Sequence, residues 1–208
     1  MIRLYRSSSF HKSVYPSLVW KKESKQSIYL TFDDGPTPTV TSWVLDQLKK
    51  VEAKATFFCL GKNLSRNPSL AKRMLSEGHL LANHTHVHLD GWLCSDTDYL
   101  NDIEKCELEL KKLGVNNRLF RPPYGRIKRS QIKKLKHKEI IMWNLLSWDF
   151  DSRMNIFRSI RFMQSAVPGS ILVFHDHLKS FENLKIMLPE LLQHFYSKGF
   201  FLERLDHD

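Results

Sequence analysis

The sequence predicts an α/β protein built on a parallel sheet. Three observations carry that expectation. Seven short apolar runs alternate with amphipathic stretches of helical spacing, the pattern of strands joined by helical crossovers. Polar residues with catalytic potential fall just after these runs rather than within them, at the edge where parallel sheets collect their sites. No Gly-x-Gly-x-x-Gly or P-loop follows the first run, so the usual nucleotide-binding signatures are missing. At 208 residues the choice is between an open doubly wound sheet and a small, incomplete barrel.

The first run, residues 28–32, reads as a buried strand. Residues 39–51 place Val40, Val44, Leu45 and Leu48 on one helix face. A second strand covers 55–60, and a second helix covers 68–77 with Gly78 as its stop. Residues 79–83 are the third strand. The longer helix 96–113 has Leu100, Ile103, Leu108 and Leu110 among its apolar residues and ends at Gly114. A short fourth strand, 118–121, stops at Pro122-Pro123. A helix near 130–137 precedes the fifth strand, 139–143. A helix near 156–166 leads through Pro168-Gly169 to the sixth strand, 170–174. The helix 182–197 and the strand 200–205 complete the series. Residues 1–25 read as a basic extension packed outside the repeat, and no linker divides the rest, so one domain is expected.

Hydrophobic residues at 42% and charged residues at 26% suit a globular protein with a sizeable core. No stretch approaches the roughly 18 apolar residues that span a bilayer, so no transmembrane anchor is expected. Basic residues open the chain without an apolar h-region behind them, so no cleavable signal peptide is expected. The cytoplasm is then the expected compartment unless a leader is missing. Cys59, Cys94 and Cys106 form no CxxC pair and read as reduced thiols. The formal charge of +10 admits an anionic partner, but a solvated Lys-rich surface accounts for it more simply. The basic residues are not interleaved with aromatics, so no nucleic-acid partner is expected.

Asp33 and Asp34 end the first strand beside Gly35-Pro36. Acids are common in turns, yet two carboxylates entering one cleft need a cation, metal or Arg, to offset their repulsion. His84, His86 and His88 follow the third strand. His84 and His88 would share one face of a helical turn, and His84 and His86 one side of a strand. A lone His is more often a satisfied structural group than a ligand. A pair at ligand spacing beside a strand-end carboxylate favours a metal. Two imidazoles and one carboxylate leave positions open for water and substrate, as a catalytic centre requires. The stretch Arg121-Pro122-Pro123-Tyr124-Gly125 is either turn punctuation or a rigid turn. In the second case Arg121 orients a carboxylate and backbone N–H groups face an oxyanion. Asp149 and Asp151 lie beyond the fifth strand, and His175 closes the sixth ahead of Asp176. A His there suits a general acid near neutral pH.

In chain order, Thr31-Phe32-Asp33-Asp34-Gly35-Pro36, His84-Thr85-His86-Val87-His88, Arg121-Pro122-Pro123-Tyr124, Asp149-Phe150 and Val173-Phe174-His175 resemble the motifs of a known family. It is that of the polysaccharide deacetylases, the NodB-homology enzymes of carbohydrate esterase family four. The likeness runs from about residue 27 to at least residue 176. It implies a distorted, incomplete (β/α)7 TIM-like barrel, with a catalytic domain over residues 26–208 after the extension. It implies that Asp34, His84 and His88 bind one divalent metal, zinc first, although cobalt, nickel or iron suit the same ligands. Asp33 would be the general base, and Arg121 would pair with it and hold it ionised. The Tyr124 N–H, beside Pro123, would stabilise the oxyanion. His175 would be the general acid, with Asp149 paired to it. Phe150 and Val173 would line the pocket for the acetyl methyl. Two positions depart from the pattern: Phe150 stands where Trp is common, and Leu146 where an aspartate is often found. His86 fills a spacer position and is expected as a bystander near the metal.

The resemblance implies hydrolysis of N-acetyl groups from a glycan such as peptidoglycan or chitooligosaccharide. An amidase of the same fold acting on a small non-sugar amide is the alternative, supported by the missing leader and the short chain. A non-catalytic glycan-binding module would have lost a ligand or base, yet every matched position is filled. A nucleic-acid binder rests on charge alone. Subsite walls are expected in the loops 89–97, with Trp92 able to stack on a sugar, and 125–130.

Overall fold

The computed structural model describes residues 13–205. The elements run in order β1 (Ser27–Asp33), α1 (Pro38–Lys50), β2 (Thr56–Cys59), α2 (Gly61–Arg66), α3 (Pro68–Ser76), β3 (Leu80–Asn83), α4 (Asp96–Lys112) and β4 (Leu119–Phe120). Then come α5 (Arg129–Lys134), β5 (Glu139–Ile140), β6 (Leu145–Leu146), α6 (Ile156–Met163), β7 (Ile171–His175), α7 (Phe181–Ser197) and β8 (Phe201–Glu203). The strands form one sheet in the order β5-β4-β3-β2-β1-β7-β6, with β8 added to β1. Every pairing is parallel, as the alternation of strands and helices requires.

Helix ends follow from local chemistry. Pro38 opens α1, where its missing N–H costs nothing, and Lys49 and Lys50 face the negative end of the helix dipole. Ser95 caps α4 by accepting from the Asp98 N–H, with Asp96 and Asp98 in the first turn.

The sheet separates two apolar layers by strand alternation. Ile28, Leu30, Phe32, Phe57, Leu172 and Phe174 face the helices in the main core. Phe58, Ala82, Leu119, Ile141 and Ile171 face inward and fill the barrel. The same alternation sends Thr31, Asp33, Val173 and His175 to the inner face, toward the carboxyl-terminal mouth.

The fold is the incomplete barrel, but its closure differs from the expectation. The strand read over 139–143 covers only Glu139–Ile140, and a further short strand that was not expected, Leu145–Leu146, follows it, so the sheet has eight strands rather than seven. The chain crosses from one edge of the sheet to the other between them. The Ile141 N–H donates to the Phe120 carbonyl (2.8 Å), whereas the Asn144 N–H donates to the Ile171 carbonyl (3.2 Å). A stretch expected outside the repeat also enters this seam. Val19 pairs with Ile141, and Leu18 is buried beside Ile140 and Met142. The first twelve residues of the expected extension lie outside the described residues. Helix α2, absent from the sequence reading, follows β2 directly. Among the described residues no helix is long and apolar enough to cross a membrane.

Candidate functional site

The mouth of the barrel gathers the strand-end residues singled out above. Asp33 and His175 are register partners across β1 and β7, so their side chains leave neighbouring strands on the same face. Arg121, one residue beyond β4, is fully buried and crosses the barrel interior. Its Nη1 donates to Asp33 Oδ1 and to Thr31 Oγ1, both at 2.7 Å. Its Nε and Nη2 donate to the carbonyls of Ile141 (3.2 Å) and Met142 (3.0 Å), and its Cζ lies 4.0 Å from the Phe58 ring centroid. One guanidinium thus ties the seam segment to β1 and fixes one oxygen of Asp33. Burial lowers the pKa of Arg121, and the Asp33 carboxylate works against that shift.

Asp34 turns the other way. Its φ of 81° lies in the left-handed region and points its carboxylate away from Asp33 toward the histidines. Asp34 Oδ1 lies 3.2 Å from His88 Nε2 and 3.6 Å from His84 Nε2. The two adjacent carboxylates therefore face different partners, Arg121 for Asp33 and the histidines for Asp34. Burial raises the Asp34 pKa, but the His88 contact and the fields of His175, His84 and His88 prevail and hold it well below the usual carboxylate range. His84 is buried, and burial pushes its pKa down to about 4, so it is neutral at pH 7. Its Nδ1 lies 2.7 Å from the Arg121 carbonyl, which only accepts, so Nδ1 carries the proton. That leaves the Nε2 lone pair aimed at a carboxylate oxygen. Asp34 Oδ1 is buried and has no hydrogen-bond partner. Lone pairs converging on one point without a donor suit a cation, and one carboxylate with two imidazoles is a donor set for a divalent metal with open positions.

The loop carrying the histidines is not the helical turn that the spacing allowed. Thr85 and His88 have φ of 67° and 64°, and side chains hold this irregular backbone. Asn83 Oδ1 accepts from the Thr85 N–H (2.9 Å) and Thr85 Oγ1 from the His88 N–H (3.0 Å). Asp102 Oδ2 accepts from the N–H groups of His86 (2.8 Å) and Val87 (3.0 Å). His86 does not join this cluster. It lines a surface groove with Lys105, Leu108 and Glu109 of α4.

His175 Nδ1 lies 2.7 Å from Asp149 Oδ1, and its backbone N–H donates to Asp149 Oδ2 (2.8 Å). Asp149 is fully buried. Burial lowers the pKa of His175, but Asp149, Asp34 and Asp33 outweigh it and raise it to about 9. A divalent cation at Asp34 would oppose that rise. The Phe150 ring packs edge-on against His175 at 4.9 Å, and Val173 is buried on the inner face of β7. Tyr124, in the 3-10 turn Pro123–Gly125, has φ 59°, and its ring stands 4.5 Å from that of His88. Among the described residues its N–H meets no protein acceptor. Trp92 is exposed at the same mouth, its Nε1 donating to the Ile127 carbonyl (3.2 Å).

Two buried acids that sequence reasoning left without a role hold these loops. Asp102 sits on the buried face of α4 with Tyr99, Ile103 and Cys106, and a carboxylate among apolar neighbours was the signal for it. Asp176 accepts from the Gly35 N–H (3.0 Å) and the Thr41 hydroxyl, pinning the turn that carries Asp33 and Asp34. A Cβ at position 35 would collide with the Asp176 carboxylate, which explains the glycine. Burial raises the Asp176 pKa to about 7.

Comparison with known proteins finds relatives of one family. The family model described as polysaccharide deacetylase matches residues 21–142. A peptidoglycan-N-acetylglucosamine deacetylase of Bacillus cereus is 35% identical over 193 residues, covering 86% of this chain and 88% of the relative. A chitooligosaccharide deacetylase of Azorhizobium caulinodans is 34% identical, covering 74% of this chain and 75% of the relative. The solved structure of the peptidoglycan deacetylase PdaC from Bacillus subtilis superposes with a TM-score of 0.79 at 30% identity, over 88% of this chain and 89% of that one. Some relatives are longer: the chain spans 64% of another Bacillus cereus peptidoglycan-N-acetylglucosamine deacetylase and 42% of a Listeria monocytogenes one.

Proposed function

The chain belongs to the polysaccharide deacetylase family, and from that premise we propose that it removes N-acetyl groups from amino-sugar residues of a glycan of the peptidoglycan or chitooligosaccharide kind. The observation that carries this is the juxtaposition of a buried base, a three-ligand cation cluster and an Asp-paired imidazole at one mouth. Asp34, His84 and His88 would hold one divalent cation, with zinc the first choice. When bound, it supplies Lewis acidity toward water and the acetyl carbonyl.

The remaining roles fall to the protein. Arg121 occupies Asp33 Oδ1, leaving the second oxygen to take the proton from the attacking water. The Tyr124 N–H, with no protein acceptor, donates to the carbonyl oxygen as it gains charge, a contact of a type that contributes about 3–4 kcal/mol. Asp149 holds Nδ1–H of His175, so Nε2 is the atom that passes a proton to the departing amine. Phe150 and Val173 bound the space for the acetyl methyl. The catalytic unit is assigned to residues 26–208. The exposed rings of Trp92 and Tyr124 at the mouth suit a sugar polymer better than a small non-sugar amide.

Mass spectrometry of N-acetylated chitooligosaccharides and peptidoglycan fragments tests this reading. Wild type is expected to remove acetyl groups, and Asp33→Asn and His175→Ala to lose at least a hundredfold in rate, the scale of acid–base catalysis. Intact substrates throughout, with metal bound, would move the assignment to a non-sugar amide.

A further inference from the structure

Beyond the reacting centre, two loops are strapped together into one rigid wall. Arg126 Nη1 donates to Asp90 Oδ2 (2.6 Å), and Asp90 Oδ1 accepts from the Trp92 N–H (2.9 Å). Trp92 Nε1 donates to the Ile127 carbonyl (3.2 Å), and buried Gln131 donates to the Gly91 carbonyl (2.9 Å). Lys128 Nζ reaches the Cys94 carbonyl (2.6 Å). Position 91 admits no side chain, because a Cβ would meet the Arg126 carbonyl at 2.5 Å. On this base the Arg126 guanidinium lies 5.2 Å from the Trp92 ring and 5.7 Å from the Tyr124 ring. Both rings are more than half exposed, at 53% and 61%. The Tyr124 ring in turn contacts His88, so the wall runs continuously from the cation ligands outward.

We propose that Trp92, Arg126 and Tyr124 form a prebuilt stacking platform for uncharged sugar rings of a glycan chain beyond the residue being deacetylated. This rests on the deacetylase reading for the position of the reacting sugar. Aromatic faces take the apolar faces of pyranose rings, and a wall fixed in advance loses little freedom on binding. The wall is longer than one ring, so the ligand is an oligomer. The cation between the two rings, Arg126, is neutralised by Asp90 at 2.6 Å, so the platform selects for uncharged sugars over carboxylate-bearing ones.

Titration calorimetry of metal-stripped protein with N-acetylated chitobiose and chitopentaose tests the platform without turnover. The pentamer is expected to bind about tenfold more tightly than the dimer, a factor that corresponds to 1.4 kcal/mol. Trp92→Ala is expected to abolish that advantage and Trp92→Phe to restore most of it. Asp90→Asn frees the guanidinium and is expected to shift preference about tenfold toward carboxylate-bearing oligomers. Equal binding of dimer and pentamer by wild type, or a pentamer advantage that survives Trp92→Ala, would overturn the platform even if acetate is released. An unchanged preference in Asp90→Asn would overturn its selection for uncharged sugars. Chain-length-dependent binding that Trp92→Ala abolishes, with no acetate released, would sustain the platform and remove the deacetylase reading.

Discussion

Replacing Arg121 by Met should unfasten the barrel. The guanidinium makes four hydrogen bonds in a fully buried setting, one to Asp33, one to Thr31 and two to the seam carbonyls of Ile141 and Met142. Leaving a buried carboxylate unpaired costs about 3–5 kcal/mol. Two seam carbonyls without donors add about 1 kcal/mol each at the low end of such penalties. Because the groups share one site the terms overlap, and a net loss of about 5 kcal/mol is expected. Urea unfolding followed by circular dichroism measures it, with metal removed so that ligand linkage does not enter. The double variant Arg121→Met, Asp33→Asn should recover about 2 kcal/mol or more, because the uncompensated charge is gone. A loss below about 1 kcal/mol, or strictly additive single and double variants, would refute the argument that the pair and the seam are fastened by one side chain.

Further outcomes follow from other contacts. His84→Ala or His88→Ala should weaken metal binding beyond the ~10–100-fold typical of outer partners, read by competition with a chromophoric chelator. In metal-free protein the His175 pKa stands above its unfolded value of 6.5, at about 9. Its contribution to stability is then fully present below about pH 6.5 and lost as pH rises through about 9, and Asp149→Asn should flatten that part of the stability profile. Gly35→Ala forces a Cβ onto the Asp176 carboxylate and should cost about 1–3 kcal/mol in urea unfolding while lowering metal affinity. Equal metal affinity in Gly35→Ala and wild type would show that this turn does not set the position of Asp34.

The sequence carried the parallel sheet and the residues at its mouth because both depend on local pattern. Apolar strands and amphipathic helices declare themselves by period, and Asp33, Asp34, His84, His88, Arg121, Asp149 and His175 all stand at or shortly after strand ends. The closure of the barrel depends on long-range contacts and was not legible. Residues 139–143 read as one strand, and it takes the long-range bonds of Ile141 and Asn144, with the carbonyls of Ile141 and Met142 held by Arg121, to show where the chain leaves one sheet edge for the other. The N-terminal segment looked external because its charge conceals Leu18 and Val19, which fill the seam. The histidine spacing fitted a helix or a strand. The actual loop was decided by Asn83, Thr85 and Asp102, partners up to sixteen residues away. His86 therefore faces a different groove from its two neighbours, which its position in the triplet did not reveal.

The central claim is that the Asp34, His84 and His88 cluster serves amide hydrolysis of an N-acetylated glycan. Acetate released from peptidoglycan fragments and chitooligosaccharides by metal-stripped protein, before and after one equivalent of zinc, tests it most directly. The account predicts no acetate from stripped protein, release on adding zinc, and none from zinc-treated His84→Ala. Equal release with and without metal, or full activity in His84→Ala, would contradict it.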